Sequence, residues 1–149
     1  MSLRILNASL LLAWCFGCLD SGRFPQPTLS QQLPSGRSVK VTSCQLVWGV
    51  EHGERHANQD AFALEYVTAV SAAASKELDQ EALEVFELIR PVSEQWGFST
   101  AYVSAFASAE RSGKYEIFAF SRSADGRWSC KRSSAKVFNT DSGHKPGRS

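Results

Sequence analysis

The stretch YEIFAFSRSADGRWSCKRSSAKVF, residues 115–138, holds the clearest fold signal in the sequence. Asp125 and Gly126 favour a two-residue turn, because both tolerate positive φ angles. Runs rich in aromatic and strand-forming residues stand on both sides of this pair. We therefore predict a β-hairpin whose strands cover residues 115–122 and 127–138.

Upstream of this hairpin the sequence predicts three more strands and one helix. Residues 39–51 and 61–70 alternate between apolar and polar side chains, which is typical of half-buried strands. Residues 75–97 carry apolar side chains at spacings of three and four, which predicts a helix, and residues 100–108 return to a strand pattern. The order is then ββαβββ. We predict an α+β fold in which a mainly antiparallel sheet of about five strands carries one kinked helix on one face.

The predicted helix carries three further local signals. Ser75 is a residue type that favours the N-cap position, and acidic residues fill the first turns, where they complement the helix dipole. Pro91 has no backbone N–H, so we expect the helix to kink or break near this residue. Glu77, Glu81 and Glu84 could line one side of the helix. Carboxylates on an exposed helix face are usually solvated charges, and this is the interpretation we favour.

The first 17 residues are typical of a secretory signal, because a basic residue, Arg4, precedes a short apolar run. The run is too short for a membrane-spanning helix, which needs about 20 residues. Gly17 before Cys18 resembles the cleavage motif of bacterial lipoproteins, although Cys15 and Phe16 depart from that motif. The resemblance implies a lipid-modified Cys18. Cleavage by an ordinary signal peptidase, which would release a soluble secreted protein, is the alternative.

We divide the chain into four segments. Residues 1–17 are the signal peptide, and residues 18–38 are a flexible tether rich in Ser, Gln, Pro and Gly, a composition that cannot bury a core. We expect residues 39–138 to form the single α+β domain and residues 139–149 to form a disordered polar tail. The residue after the modified cysteine is not acidic. The lipoprotein resemblance therefore implies a periplasmic protein tethered to the outer membrane.

Cys44 and Cys130 are the two cysteines that remain if Cys15 is removed and Cys18 is acylated. In an exported protein such a pair favours one disulfide. It would close a loop of roughly 85 residues and stabilise the fold by about 4 kcal/mol in the chain-entropy model. The alternative is two separate buried thiols, which pack as small apolar side chains.

The charge distribution is more informative than the net charge of +1, which gives no general case for a nucleic-acid binder. Residues 1–110 hold 7 Lys or Arg and 12 Asp or Glu. Residues 111–149 hold 9 Lys or Arg and 3 Asp or Glu. An acidic helix is therefore followed by a basic hairpin, which leaves room for one basic surface.

One face of the predicted hairpin combines aromatic and basic side chains. A two-residue turn at Asp125 and Gly126 places Phe120 opposite Lys131 and separates the side chains into two faces. A single helix can cover one of these faces, and the other would stay open to a partner. A strongly bent sheet that buries both aromatic sets is the alternative. The predicted partner-binding residues are Phe118, Phe120, Arg122, Arg127 and Lys131.

The loop between the first two predicted strands holds the candidate catalytic residues His52, His56 and Asp60. On a strand His52, Glu54 and His56 would point the same way, and two imidazoles and a carboxylate on one face could hold zinc or iron, or perform acid–base chemistry. A solvated turn explains the same composition and is the interpretation we favour, since polar residues with Gly and Asn are how hairpins reverse direction.

The same loop, residues 53–62, resembles the opening motif of metal-dependent protein phosphatases of the 2C type. The resemblance implies that Arg55 binds phosphate and that Asp60 reaches a metal. It covers about ten residues. The second motif of that family, an Asp-Gly pair followed by further glycines, is replaced here by Ala-Leu-Glu-Tyr-Val at residues 63–67.

These features predict a non-enzymatic envelope protein, exported and anchored through Cys18, that acts as a small binding, adaptor or inhibitor-type domain. The expected partner is a protein or another envelope component. We expect no nucleic acid, no cofactor and no bound metal, and contact with the membrane only through the lipid. Two alternatives stay open: a small secreted hydrolase or metal-dependent enzyme that uses His52, His56 and Asp60, and a purely structural envelope component.

Overall fold

The computed structural model describes residues 29–111 and 113–137, and within these ranges it leaves out the side chains of residues 50, 51 and 55. Eight strands and one α-helix lie in these ranges, together with a 3-10 helix at Ala57–Gln59. In chain order they are β1 (Leu29–Gln32), β2 (Ser38–Val47), β3 (Val50–Glu51), β4 (Glu54–Arg55), β5 (Ala61–Val67), α1 (Ser75–Gln95), β6 (Thr100–Phe106), β7 (Lys114–Arg122) and β8 (Trp128–Lys136). No helix in these ranges is long and apolar enough to cross a membrane.

Six strands form one sheet in the order β1-β2-β5-β6-β7-β8, and β3 pairs with β4 in a separate ribbon. Neighbouring strands of the sheet are antiparallel except β5 and β6, which are parallel and joined through α1. A parallel pair needs such a crossover, because a tight turn would reverse the chain. The predicted α+β class with one helix is confirmed. The sheet is mixed, however, and has six strands rather than about five.

The folded part of the chain begins before the predicted start of the domain. Leu29–Gln32 pairs antiparallel with β2 and adds an edge strand. Leu33 follows in the core, and Gly36 adopts a φ of 85° in the turn into β2. The second half of the predicted tether, residues 18–38, therefore belongs to the sheet. The physical reason is that Leu29 and Leu33 bury apolar surface within an otherwise polar segment.

We predicted a kink or a break near Pro91; α1 is continuous from Ser75 to Gln95, so it does not break there. Pro91 is exposed, and on the solvent side water can bond the carbonyl that its missing N–H leaves unpaired. The N-cap residue is Ala74 rather than Ser75, and no side chain caps this end of the helix. At the other end Gly97, at a φ of 74°, terminates the helix as predicted.

The core lies between α1 and one face of the sheet. Phe86 of α1 stacks on Phe120 of β7 with 3.9 Å between the ring centroids, and Trp128 of β8 meets Phe86 edge-on at 5.0 Å. The other core side chains of α1 are Leu78, Ala82, Val85, Ile89 and Val92. They pack against the central strands β5 and β6. This is the apolar stripe that the sequence predicted.

Candidate functional site

β7 and β8 form the predicted hairpin, but one residue away from the predicted register. Phe120 lies opposite Cys130 rather than opposite Lys131. The turn explains the shift, because the N–H of Ser123 donates to the carbonyl of Arg127 at 2.9 Å and leaves a loop of three residues instead of two. The last loop residue is a glycine at a φ of 83°, the left-handed conformation that such loops require.

Both predicted partner-binding aromatic residues lie in the core. Phe118 is 1% exposed and Phe120 is 2% exposed, on the face that α1 covers. The predicted surface of mixed aromatic and basic side chains therefore does not form. A slip of one residue moves the side chains of one strand to the other face relative to its partner, so Lys131 leaves the face of Phe118 and Phe120, and Arg132 joins it.

The three predicted basic contact residues lie apart from one another. Arg122 and Arg127 are exposed at the hairpin turn, where Arg127 Nε contacts Asp125 Oδ2 at 2.6 Å. Lys131 is exposed on β8 opposite Ala119, on the face that turns away from α1. The hairpin stays basic, but its charges are spread along an edge of the sheet.

Arg132, which the sequence analysis did not select, connects β8 to the rest of the domain. Its guanidinium donates to Glu116 Oε2 at 2.8 Å, to Asp79 Oδ1 at 3.0 Å and to the carbonyl of Ala72 at 3.1 Å. Burial acts to raise the pKa of Glu116, but hydrogen bonds from Ser134 and Arg132 outweigh it and lower that pKa. Strand alternation is the signal that could have identified Arg132, because even-numbered residues of β8 face the helix.

Cys44 and Cys130 are not bonded to each other. They lie on β2 and β8, which are separated by β5, β6 and β7. Four strand spacings amount to about 19 Å, whereas a disulfide requires Cα atoms within about 7 Å. The predicted disulfide is therefore wrong for this fold. Cys44 is buried and Cys130 is exposed, and the predicted lipidation site Cys18 lies outside the described residues.

The candidate catalytic residues His52, His56 and Asp60 lie in and after the β3–β4 ribbon. His52 is exposed at its turn with a φ of 52°, and His56 is half-buried. Asp60 is 5% exposed, and its Oδ1 accepts a hydrogen bond from the N–H of Gly49 at 3.0 Å. Through this hydrogen bond Asp60 holds the end of the loop next to Gly49. Within the described residues no group of three or more His, Cys, Asp or Glu side chains could hold a metal ion.

Glu81 is buried, contrary to the solvated position that we predicted for it. It accepts a hydrogen bond from Thr68 Oγ1, and Arg37 Nη1 lies 3.8 Å from its Oε2. The hydroxyl of Tyr66 is buried close to Glu81. Burial, and next the charge of Glu81, raise its pKa. Glu81 lies three residues after Leu78 on the apolar stripe, and this spacing could have revealed its burial.

Glu81 also lines a groove of ≈ 340 Å³ between α1 and the turn that joins β1 to β2. Two basic and three acidic side chains line this groove, namely Arg37, Lys76, Glu77, Glu81 and Glu84. Several of them already contact one another, for example Arg37 Nη2 and Glu77 Oε2 at 3.3 Å. The electrostatics of the groove therefore favour no single class of ligand.

β8 is a terminal strand of the sheet, and within the described residues nothing pairs with its outer side. Backbone hydrogen bonds just beyond both ends of the β7–β8 pairing join Ser123 to Arg127 and Val137 to Gly113. Because bonded and non-bonded pairs alternate in an antiparallel ladder, odd-numbered residues of β8 bond to β7. The backbone groups of the even-numbered residues point away from the sheet. Inside the strand these are Cys130, Arg132 and Ser134.

Basic side chains flank this edge. Residues 114–136 hold six Lys or Arg and two Asp or Glu. Both acidic residues already lie in ion pairs, Glu116 with Arg132 and Asp125 with Arg127. The exposed lysines of β8 are Lys131 and Lys136. They give the edge a positive potential that the paired carboxylates do not cancel.

Comparison of the chain with known protein families, with curated proteins and with solved structures finds no match. A functional proposal for this protein therefore depends on the geometry of its described residues and on its sequence.

Proposed function

We propose that the chain is an exported binding domain, anchored by a lipid on Cys18, that captures a protein partner by adding an acidic extended segment to β8. The observation that carries the proposal is the unpaired basic edge of β8. In strand addition, main-chain hydrogen bonds supply affinity and the flanking side chains supply selectivity. The outward backbone groups of β8 recur at every second residue, which is the spacing that an added strand requires.

The charge of the edge selects an acidic partner. Lys131 and Lys136 would lie beside the side chains of an added strand, and each pair of opposite charges across strands contributes about 0.2–1 kcal/mol. A second β8 would instead bring lysines close to lysines, which is destabilising. The lysines of β8 therefore oppose pairing between two copies of β8 and favour a partner strand with acidic side chains.

The proposed location of the protein is supported by its sequence. The signal-like first 17 residues and Cys18 precede the described residues, and ten residues separate Cys18 from β1. A fully extended connection of this length reaches about 35 Å. A domain anchored at Cys18 would therefore work close to the membrane surface, where its partner would be an envelope protein.

Strand addition is tested by fluorescence anisotropy of the full chain with a labelled eight-residue peptide of alternating Val and Glu. Cys130→Pro removes an outward N–H that makes no bond to β7, and Cys130→Ser is the matched control because it keeps this N–H. We expect Cys130→Pro to weaken binding roughly tenfold, from a lost hydrogen bond and the distorted edge. Cys130→Ser should bind like the unmodified chain. Equal binding by the two variants, both folded by circular dichroism, would overturn strand addition.

The preference for an acidic partner is tested by charge reversal. We expect Lys131→Glu combined with Lys136→Glu to weaken binding of the same peptide roughly tenfold at low salt, and added salt to weaken binding to the unmodified chain. The control is Lys40→Glu, since Lys40 is also an exposed strand lysine but lies on β2 at the other side of the sheet. An unchanged affinity after reversal on β8 would contradict recognition by charge.

The anchor is tested by mass spectrometry of the native N-terminus. We expect a chain that begins at Cys18 and carries a diacylglyceryl group on its sulfur. A mature chain with an unmodified Cys18, or one from which Cys18 has been removed, would overturn the lipid anchor while leaving the binding edge untouched.

A further inference from the structure

The face of the sheet that turns away from α1 has no covering element among the described residues. We call this the open face, and it consists of the outward side chains of β2, β5, β6, β7 and β8. Alternation along the strands assigns its members, because each is out of phase with the core residues. Its apolar side chains are Ala63, Tyr102, Tyr115, Ile117 and Ala119, and Phe106 lies buried at one end of the face beside Tyr115.

The centre of the open face has the composition of a packed surface rather than a solvated one. Phe106 and Tyr115 stack with 4.5 Å between their ring centroids. Tyr102 and Ile117 are half-buried although nothing lies above them in the described part of the chain. A sheet usually buries its apolar face against a second layer, and α1 supplies that layer on one side only.

Charge is nearly absent from the central strands on this side. Glu65 is the charged residue there, and it forms an ion pair with Arg111 from the loop between β6 and β7. Lys40 lies on β2, next to the edge strand β1, and Lys131 lies on the edge strand β8, so both are away from the central strands. Charges at the rim of an interface stay solvated and cost little, so they do not oppose burial of the centre.

The relief of the open face is self-complementary. Tyr102 stands in a row between two alanines, Ala63 on β5 and Ala119 on β7. In the next row Ile117 stands beside Ser104. Each large side chain therefore has a small side chain, alanine or serine, beside it on a neighbouring strand. Two copies related by a two-fold axis can place the large side chains of one over the small ones of the other, which is the condition for a symmetric interface.

The open face approaches the size of one side of a stable interface. Five strands spaced by about 4.8 Å, each with seven residues that rise about 3.3 Å, cover about 550 Å² in projection. Side-chain relief makes the accessible area larger than the projection, and a standard interface buries about 800 Å² per partner. We propose that the open face packs against the open face of a second copy of this chain and forms a sheet-on-sheet dimer.

This inference is independent of the proposed partner at β8, because the outward backbone groups of β8 lie in the plane of the sheet and stay accessible at its edge. A dimer would present two such edges. The two interactions also differ in their physical basis: burial of apolar surface depends weakly on salt, whereas attraction between exposed charges is screened by salt.

Sedimentation equilibrium of the full chain at micromolar to sub-millimolar concentrations tests the dimer. We expect Ile117→Lys to raise the dimer dissociation constant roughly 100-fold, because a lysine would bury its charge at the centre of the interface. The matched control is Leu83→Lys, since Leu83 is an exposed apolar residue, 43% exposed, on α1. Both variants carry the same N-terminal residues, so any association through the N-terminal segment would be equal in Ile117→Lys and Leu83→Lys.

Ser104→Lys is the second open-face variant, in case Ile117→Lys fails to fold. The dimer should persist in 0.5 M salt, at which binding of the acidic peptide to β8 falls. A monomer at every concentration overturns the inference, as does a dimer that survives a folded open-face variant. Either result can occur while the peptide still binds, so failure of the dimer is distinguishable from failure of the proposed function.

Discussion

Truncation of Phe120 is the sharpest test of the fold, because the sequence assigned this residue to a partner and the structure assigns it to the core. Phe120 is 2% exposed and stacks on Phe86 at 3.9 Å. Replacing a buried phenylalanine with alanine removes its burial and leaves a cavity, which together cost about 3–5 kcal/mol. A domain of this size has a total stability of about 5–15 kcal/mol. Phe120→Ala should therefore remove a large fraction of it.

Equilibrium unfolding in urea measures this loss. If the free energy of unfolding falls by about 2 kcal/mol per molar urea, a loss of about 4 kcal/mol lowers the midpoint by about 2 M. Lys131→Ala is the matched control in the same hairpin. Because Lys131 is exposed, we expect its free energy of unfolding to change by at most about 0.5 kcal/mol.

The opposite pattern would refute the reasoning. If Phe120→Ala unfolds within about 0.3 M urea of the unmodified chain, Phe120 is not in the core. A stable Phe120→Ala together with a destabilised variant at the neighbouring Ala119 would show that α1 covers the opposite face of β7. The core face would then be the one that the structure leaves open.

Three further outcomes follow from the described contacts. Glu116 has a pKa below its ordinary value of 4.5, so its stabilising contribution is present above that pH and is lost as the pH falls through the lowered pKa. Urea unfolding at a series of pH values should show this acid-induced loss, and Ser134→Ala should reduce it. Alkylation with peptide mapping should modify Cys130 but not Cys44 in the native chain, and both after unfolding; a bonded pair would resist modification in both states. Asp60→Ala leaves a buried backbone N–H unpaired and should cost about 1–3 kcal/mol in urea unfolding; an unchanged midpoint would show that this bond does not support the loop.

Local periodicity in the sequence was sufficient to predict most of the elements. The apolar stripe of α1 and the existence of the β7–β8 hairpin depend on residues within a few positions of one another, which is why both were predicted, although the hairpin loop has three residues rather than two. Glu81 shows the limit of this reasoning, since it lies on the stripe and is buried with Thr68 and Arg37 beside it. A glutamate side chain suggested a solvated position for Glu81, whereas its spacing of three residues from Leu78 indicated a buried one.

The candidate site could be predicted only in part. The basic character of the β7–β8 hairpin is visible in the residue counts of its sequence. That β8 lies at an edge depends on the order of six strands, which is set by contacts between residues far apart in the chain. The order of the strands also explains why the predicted disulfide is absent. Cys44 on β2 and Cys130 on β8 are separated by three intervening strands.

The sequence by itself determined the element types, the helix face and the charge of the hairpin, because short-range patterns carry that information. Tertiary structure decided the rest. Long-range packing added Leu29–Gln32 to the sheet and placed Arg132 against Glu116. The three-residue loop decided which side chains of β8 share a face with Phe120. Strand register and strand order are set by how well the whole core is buried. That burial depends on contacts between distant residues, which a short stretch of sequence does not contain.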